Sequence, residues 1–194
     1  MVKNKWGVEI MPERICAIDA STNSLAFATF HDGHLKEVGK IKFEGKDIYE
    51  KVIDAGRKSK GLFDHIVNVD AIVIEHTVFM NSPKTAAQLA MVQGALLGAA
   101  SMSGVKKIGS VSPMTWQNFI GNKKLTKEEK HEIQKKNPGK SVSWFKGEER
   151  KVRKQRTINF ININYDKQLD DDDVADACAI GHWALSNWDK AFGY

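Results

Sequence analysis

A chain of 194 residues, 42% hydrophobic and 27% charged, has the composition of one globular domain that can bury a core without disulfide or metal staples. It holds no run of about 18 apolar residues and opens on no apolar signal segment, so neither a membrane span nor secretion is expected, and the cytoplasm is the expected location. The net charge of +5 averages two unlike parts: residues 121–160 carry 13 Lys/Arg against 5 Asp/Glu, and the other 154 residues carry 16 against 19. A near-neutral body with one concentrated basic segment points to a polyanionic partner.

In chain order, the first ten residues read as a loose tail before Met11-Pro12. Residues 15–19 are a short apolar run ending in Asp19, and residues 25–30 are rich in β-formers. His31-Asp32-Gly33-His34 reads as a hairpin turn into a third, alternating strand over 35–43. Ile48, Val52, Ile53, Phe63 and Ile66 have helical spacing. Residues 69–74 form a continuous apolar run closed by Glu75, the pattern of a strand buried on both faces in a parallel sheet. Ser82-Pro83 supplies an N-cap and a first-turn proline for a helix over 83–102. That helix is apolar on most sides, with Gly94 and Gly98 one turn apart, and belongs either deep in the core or in an interface with a second copy.

Residues 106–111 form a fifth strand, and Ser112-Pro113 opens a short helix to about residue 120. Thr126 and Glu129 make a capping box, and Asn137-Pro138-Gly139 stops the helix that it starts. Trp144 and Phe145 fall in the loop beyond, before a helix expected over about 148–164. An acidic run at 170–173 precedes a last helix striped by Val174, Ala177, Ile180 and Ala184. Cys16 and Cys178 lie in apolar contexts, as core residues of a reducing compartment would, and no Cys/His spacing suggests zinc. The order predicts a single α/β domain over 1–194 with a basic insertion at about 122–150. Its sheet is expected to be mixed and five-stranded, three strands antiparallel and two parallel, with helices on both faces.

Four carboxylates stand out. A carboxylate at the end of a buried apolar strand is unfavourable unless it meets water, a donor or a cation, and Asp19 and Glu75 both occupy such ends. Ligand sites of α/β sheets lie at strand ends, and if the first and fourth strands are neighbours the two acids face each other. Asp173 and Asp176 are three apart on the last helix and share a face. Four converging acids would repel and raise each other's pKa. A divalent cation removes that penalty, and an all-oxygen donor set selects Mg²⁺ or Mn²⁺.

Ile18-Asp19, Ile74-Glu75 with Phe79-Met80 close behind, Ser112-Pro113, and the string from Asp173 through Asp176 to Ile180 together resemble the RuvC type of Holliday junction resolvase, over about residues 14–187. The resemblance implies the ribonuclease-H-like fold and a metal-dependent endonuclease that cuts four-way DNA junctions as a homodimer, by paired nicks leaving 5′-phosphate and 3′-hydroxyl ends. It makes Asp19, Glu75, Asp173 and Asp176 the catalytic, metal-binding acids, with two Mg²⁺ ions per site and Mn²⁺ able to substitute. Two such ions about 3.5–4 Å apart clamp a scissile phosphate; Asp19 is the expected bridge, with Glu75 and Asp176 on one ion each. Phe79 matches an aromatic that touches DNA bases, and helix 83–102 lies where the family dimerises. The run Ala20-Ser21-Thr22-Asn23-Ser24 stands where the family has glycines, one extra residue separates Glu75 from Phe79, and the basic stretch is long. In these departures the chain looks more like a phage-encoded relative.

In the basic segment, Lys123, Lys124, Lys151, Arg153, Lys154 and Arg156 are the candidate phosphate contacts, and Trp144 and Phe145 could stack on an unpaired base. The acids alone do not choose a substrate, because metals read phosphates. A nuclease of the same fold for RNA–DNA hybrids, ribosomal RNA or flaps is the nearest rival, and a non-catalytic DNA-binding module is a further one. Dimerisation favours the junction, and cation-independent function favours the module.

Overall fold

A computed structural model of the chain describes residues 2–3, 9–10, 14–66, 69–76 and 82–193. Strands β1 (Val2–Lys3) and β2 (Glu9–Ile10) pair antiparallel, with Val2 opposite Ile10, so the segment expected to be a loose tail carries a short ladder. Backbone pairing of two residues on each side needs no apolar pattern, and that is why composition did not announce it.

Five strands make the main sheet: β3 (Arg14–Ala20), β4 (Ser24–His31), β5 (His34–Lys42), β6 (Ala71–Glu75) and β7 (Lys107–Val111). Their order is β5-β4-β3-β6-β7, antiparallel across β3, β4 and β5 and parallel from β3 through β6 to β7, as expected. Asp32 and Gly33 both hold positive φ, 54° and 77°, and make the two-residue hairpin turn between β4 and β5.

The helices are α1 (Ile48–His65), α2 (Pro83–Met102), α3 (Pro113–Phe119), α4 (Lys127–Lys136), α5 (Val142–Tyr165), α6 (Asp172–Ser186) and α7 (Trp188–Phe192). Side-chain caps start the first six: Asp47, Ser82, Ser112, Thr126, Ser141 and Asp171 each accept a backbone N–H of the first turn. Among the described residues no helix is long and apolar enough to cross a membrane.

The period of two along each strand sorts the core into two layers. Ile15 and Ala17 of β3, Ala26 and Ala28 of β4, and Ala71 and Val73 of β6 pack with Trp116 of α3, Ile161 of α5 and the buried face of α6. Cys16, Ile18, Leu25, Ile72 and Ile74 point the other way, to Ala55 and Phe63 of α1 and Val92 and Leu96 of α2. Cys16 and Cys178 are both buried, and burial pushes each thiol up to about 12, as befits inert core residues.

Two expectations change. Helix α2 is not deep in the core: Val92, Leu96, Ala99 and Ala100 are buried, while Ala87, Ala90, Met91, Gly94, Gly98 and Met102 are exposed. Helix α5 begins at Val142, so Trp144 and Phe145 lie in its first turn and not in a loop. The Ser141 hydroxyl accepts the Trp144 N–H at 3.2 Å. That cap starts the helix despite aromatic residues and Gly147, which favour helix weakly on their own. The Trp144 ring stands edge-on to Phe145, centroids 5.2 Å apart, and the Lys140 ammonium lies 5.6 Å from its centre. The basic segment is therefore helical, α4 with the start of α5.

Candidate active site

The sheet places two of the four acids by register alone. Asp19 follows Ala17 by two and Glu75 follows Val73 by two, so both carboxylates rise on the α6 side. Ile18 is the parallel partner of Ile74, which makes Asp19 and Glu75 the next residues along neighbouring strands. Asp19 is also the antiparallel partner of Ala26, and Ala26 that of Lys40. Lys40, Ala26 and Asp19 thus form one row across the sheet, with Glu75 beyond.

Helix α6 brings the other two over this row. Asp171 caps it, accepting the Asp173 and Val174 N–H groups at 3.0 and 3.1 Å. Asp173 and Asp176 follow one turn apart. Burial first, then the charges of Glu75, Asp176 and Asp173, hold the Asp19 carboxyl well above the usual carboxylate range, with the Lys154 ammonium opposing. Burial and then Glu75 push Asp176 up to about 7, against the Thr157 hydroxyl and Lys154. Burial raises Glu75, and the Trp116 indole opposes it by donating Nε1–H to Oε2 at 2.7 Å. Asp173 is different: it is partly exposed, and its Oδ2 lies 2.6 Å from Lys40 Nζ.

The predicted acids therefore share one electrostatic neighbourhood, and its chemistry suits a cation. The donors are carboxylate oxygens that raise one another's pKa, with the Lys154 ammonium opposing at Asp19 and Asp176 but not cancelling the rise. As they stand, no three His, Cys, Asp or Glu side chains among the described residues are gathered tightly enough to enclose an ion. Lysines occupy the acids of the α6 turn instead: Lys40 holds Asp171 and Asp173, and Lys154 holds Asp172.

Beside the acids opens a cleft of about 770 Å³. Glu75 and Asp176 line it, together with Pro113, Gln117, Asn122, Leu125 and Thr157. Lys124 of the segment before α4 and Lys130, Lys146, Arg150, Arg153 and Lys154 of α4 and α5 line it too, with Glu149 among them. Of the six predicted phosphate contacts, Lys124, Arg153 and Lys154 reach this cleft. Lys123, Lys151 and Arg156 are not among its lining residues. Lys151 pairs with Glu148 at 3.2 Å, and Arg156 pairs with Glu129 of α4. Arg153 is also a strut, donating to Gln117 Oε1 and, at 3.4 Å, to the Asn122 carbonyl. Phe79 lies outside the described residues.

Sequence reasoning passed over Lys130, Lys146 and Arg150 in the cleft, Trp116 and Thr157 against the acids, and Lys40 across the sheet. For the α5 residues a signal existed. Positions 146, 150, 153, 154 and 157 share one helical face; 150, 153, 154 and 157 already do so in a helix over 148–164, and 146 joins them when the helix is started at Val142.

No protein-family model matches the sequence, and no curated protein is similar enough to it to be matched. Among solved structures, RuvC of Thermus thermophilus in complex with a Holliday junction substrate aligns over 93% of this chain and 98% of its own, with a TM-score of 0.62 at 16% identity. A second Thermus thermophilus RuvC structure aligns over 92% and 98%, with a TM-score of 0.64 at 14% identity. The fold of this chain is the ribonuclease-H-like fold of RuvC.

Proposed function

We propose that this protein is a divalent-cation-dependent endonuclease that resolves Holliday junctions and related branched DNA by paired hydrolytic nicks, leaving 5′-phosphate and 3′-hydroxyl ends. One observation carries the reading: Glu75 and Asp176, whose charges act on neighbouring Asp19, line the same cleft as six lysine and arginine side chains. A cleft made only for binding a polyanion would have no use for buried carboxylates that repel it and each other. The RuvC fold, seen on a Holliday junction substrate in the Thermus thermophilus protein, supports the choice of branched DNA.

In this reading Asp19, Glu75, Asp173 and Asp176 hold Mg²⁺, or Mn²⁺ in its place. Bound cations supply Lewis-acid activation of a water and charge stabilisation at the leaving 3′ oxygen. The chain's own groups do the rest. Lys124, Lys130, Lys146 and Arg150 take the phosphates on either side of the cut. The Trp116 N–H fixes one oxygen of Glu75, and Thr157 stands against Asp176. The Trp144–Phe145 pair beside Lys140 is a stacking surface for an unpaired base at the branch. The open face of α2, with exposed Met91, Gly94, Gly98 and Met102, is where a second copy packs to give two cuts.

The test is direct. A labelled four-way junction, a Y-fork and a plain duplex are incubated with the protein in Mg²⁺, Mn²⁺ or chelator. Paired nicks in the junction, with either cation and not in chelator, are expected. Cleavage of the fork by a monomer, with the junction left whole, would replace this reading by that of a sister nuclease.

A further inference from the structure

The acid pocket holds a residue that neither its carboxylates nor its basic wall account for. Lys40 stands on β5, the edge strand farthest from β7, in the same cross-sheet row as Asp19 and separated from it only by Ala26. A residue directly opposite another on a paired strand shares its face, so Lys40 rises on the acid side. With a small alanine between, nothing bulky lies in its way. Its ammonium reaches the first turn of α6, lying 3.0 Å from Asp171 Oδ2 and 2.6 Å from Asp173 Oδ2.

The two partners are not equivalent. Asp171 is already used as the N-cap, taking two backbone N–H groups on Oδ1. It keeps those bonds whether Lys40 is there or not. Asp173 meets Lys40 at the shorter distance, and it is one of the four acids of the pocket. The consequence is a competition for a single carboxylate. Three acids, Asp19, Glu75 and Asp176, stand at strand ends or on α6, where burial raises the pKa of each. The fourth is held by an ammonium.

We propose that Lys40 is a built-in countercharge of the acid pocket, which holds Asp173 aside in the cation-free protein and yields it when a divalent cation loads. Lys40 is thereby a positioning residue that sets the cation concentration the site requires. The inference rests on the reading of the acids as a cation site. Release is inexpensive, because a partly exposed lysine–carboxylate pair contributes little net free energy. The effect on cation affinity is therefore expected to be about two- to fivefold and not orders of magnitude.

The experiment follows thermal unfolding of the whole protein against Mn²⁺ concentration, for wild type, Lys40→Met, Lys40→Arg, Asp173→Asn and the Lys40→Met/Asp173→Asn pair. Wild type is expected to gain melting temperature with Mn²⁺. Lys40→Met should reach half of that gain at about two- to fivefold less Mn²⁺, and Lys40→Arg near the wild-type concentration. In the Asp173→Asn background, Lys40→Met should shift the midpoint no further. A wild-type midpoint in Lys40→Met overturns the proposal. So does an equal shift in both backgrounds, which would mark a general charge effect and no competition for Asp173. If wild type itself gains nothing from Mn²⁺, the cation reading fails first and this inference with it. Should Lys40→Met not fold, the arginine variant decides: loss of Mn²⁺ response there also overturns the proposal.

Discussion

The acids of the cleft stand on a sheet strand and on the buried helix α6, whereas its lysines and arginines stand on the outer helices α4 and α5 and, for Lys124, on the segment just before them. On the acid side, position follows from register: Asp19 and Glu75 extend the same face as Ala17 and Val73, and α6 is anchored by nine buried residues. Each acid is singular, and the groups around it are fixed. The basic residues are redundant, five spread over two helices and Lys124 just before the first of them. Several of them are engaged with neighbours, as Lys130 is with Glu149 at 2.9 Å. The contrast separates chemistry from capture. A change on the acid side should be all or none for cleavage, and a change on the basic side should be graded and dependent on salt.

The largest expected effect breaks the acid side alone. Asp19→Asn and Asp176→Asn keep shape and hydrogen-bonding capacity but lose the charge. Each should lower junction cleavage by about 10³-fold or more while leaving junction affinity within a few-fold. Cleavage and gel-shift measurements on the same labelled junction decide it. Cleavage that persists in both variants would sink the assignment of the acids.

A second effect lies in stability, and its sign follows from the same burial. Asp176 has its folded pKa raised from 3.8 to about 7, and Asp19 is displaced in the same direction. The folded state therefore binds more protons than the unfolded chain between about pH 4 and pH 7. Stability in chelator should fall as pH rises through that window, by at most ~4 kcal/mol for Asp176, and level off above it. Below pH 4 the group is protonated in both states and contributes nothing. Asp176→Asn should match wild type at pH 4 and exceed it at pH 8. Mg²⁺ should restore wild-type stability at pH 8 and do nothing at pH 4. Denaturant unfolding at the two pH values, with and without cation, measures this. A wild type as stable at pH 8 as at pH 5 in chelator would refute it.

The same contrast explains what could be read from the residues alone. Asp19 and Glu75 were readable because each ends an apolar run, and an apolar run followed by a carboxylate is a local pattern. The turn between the second and third strands followed from a hairpin pattern that also acts locally, whereas the pairing of the first strand with the fourth stayed conditional. Trp116 and Lys40 were not readable, since each reaches its partner across the fold: Glu75 is 41 residues from Trp116, and Asp171 is 131 from Lys40. No spacing rule links such positions. The start of α5 was hidden for another reason. Gly147 and the aromatic residues at 144 and 145 weaken helix propensity, and a single serine cap with tertiary contacts outweighs them. With that start misplaced, Lys146 lost its place on the helical face that lines the cleft.

The smallest effects sharpen the contrast within the basic side itself. Lys146 and Arg150 line the cleft, whereas Arg156, on the same helix, donates to Glu129 and to the Lys123 carbonyl at 3.4 Å. Glu129 in turn closes the capping box of α4, so Arg156 fastens α4 to α5. Cationic residues of one helix should then divide by task. Replacing both Lys146 and Arg150 by alanine should reduce the slope of log affinity against log salt by about 2, one per phosphate contact, with the melting temperature unchanged. Arg156→Ala should leave that slope alone and cost about 1 kcal/mol of stability, the range of a partly exposed ion pair. Salt-dependent junction binding and thermal unfolding, measured on both variants, separate the two. If Arg156→Ala lowers the slope as much as a cleft residue does, the basic face is one undivided surface. If it lowers stability alone, the residues that hold the basic wall are distinct from those that hold DNA.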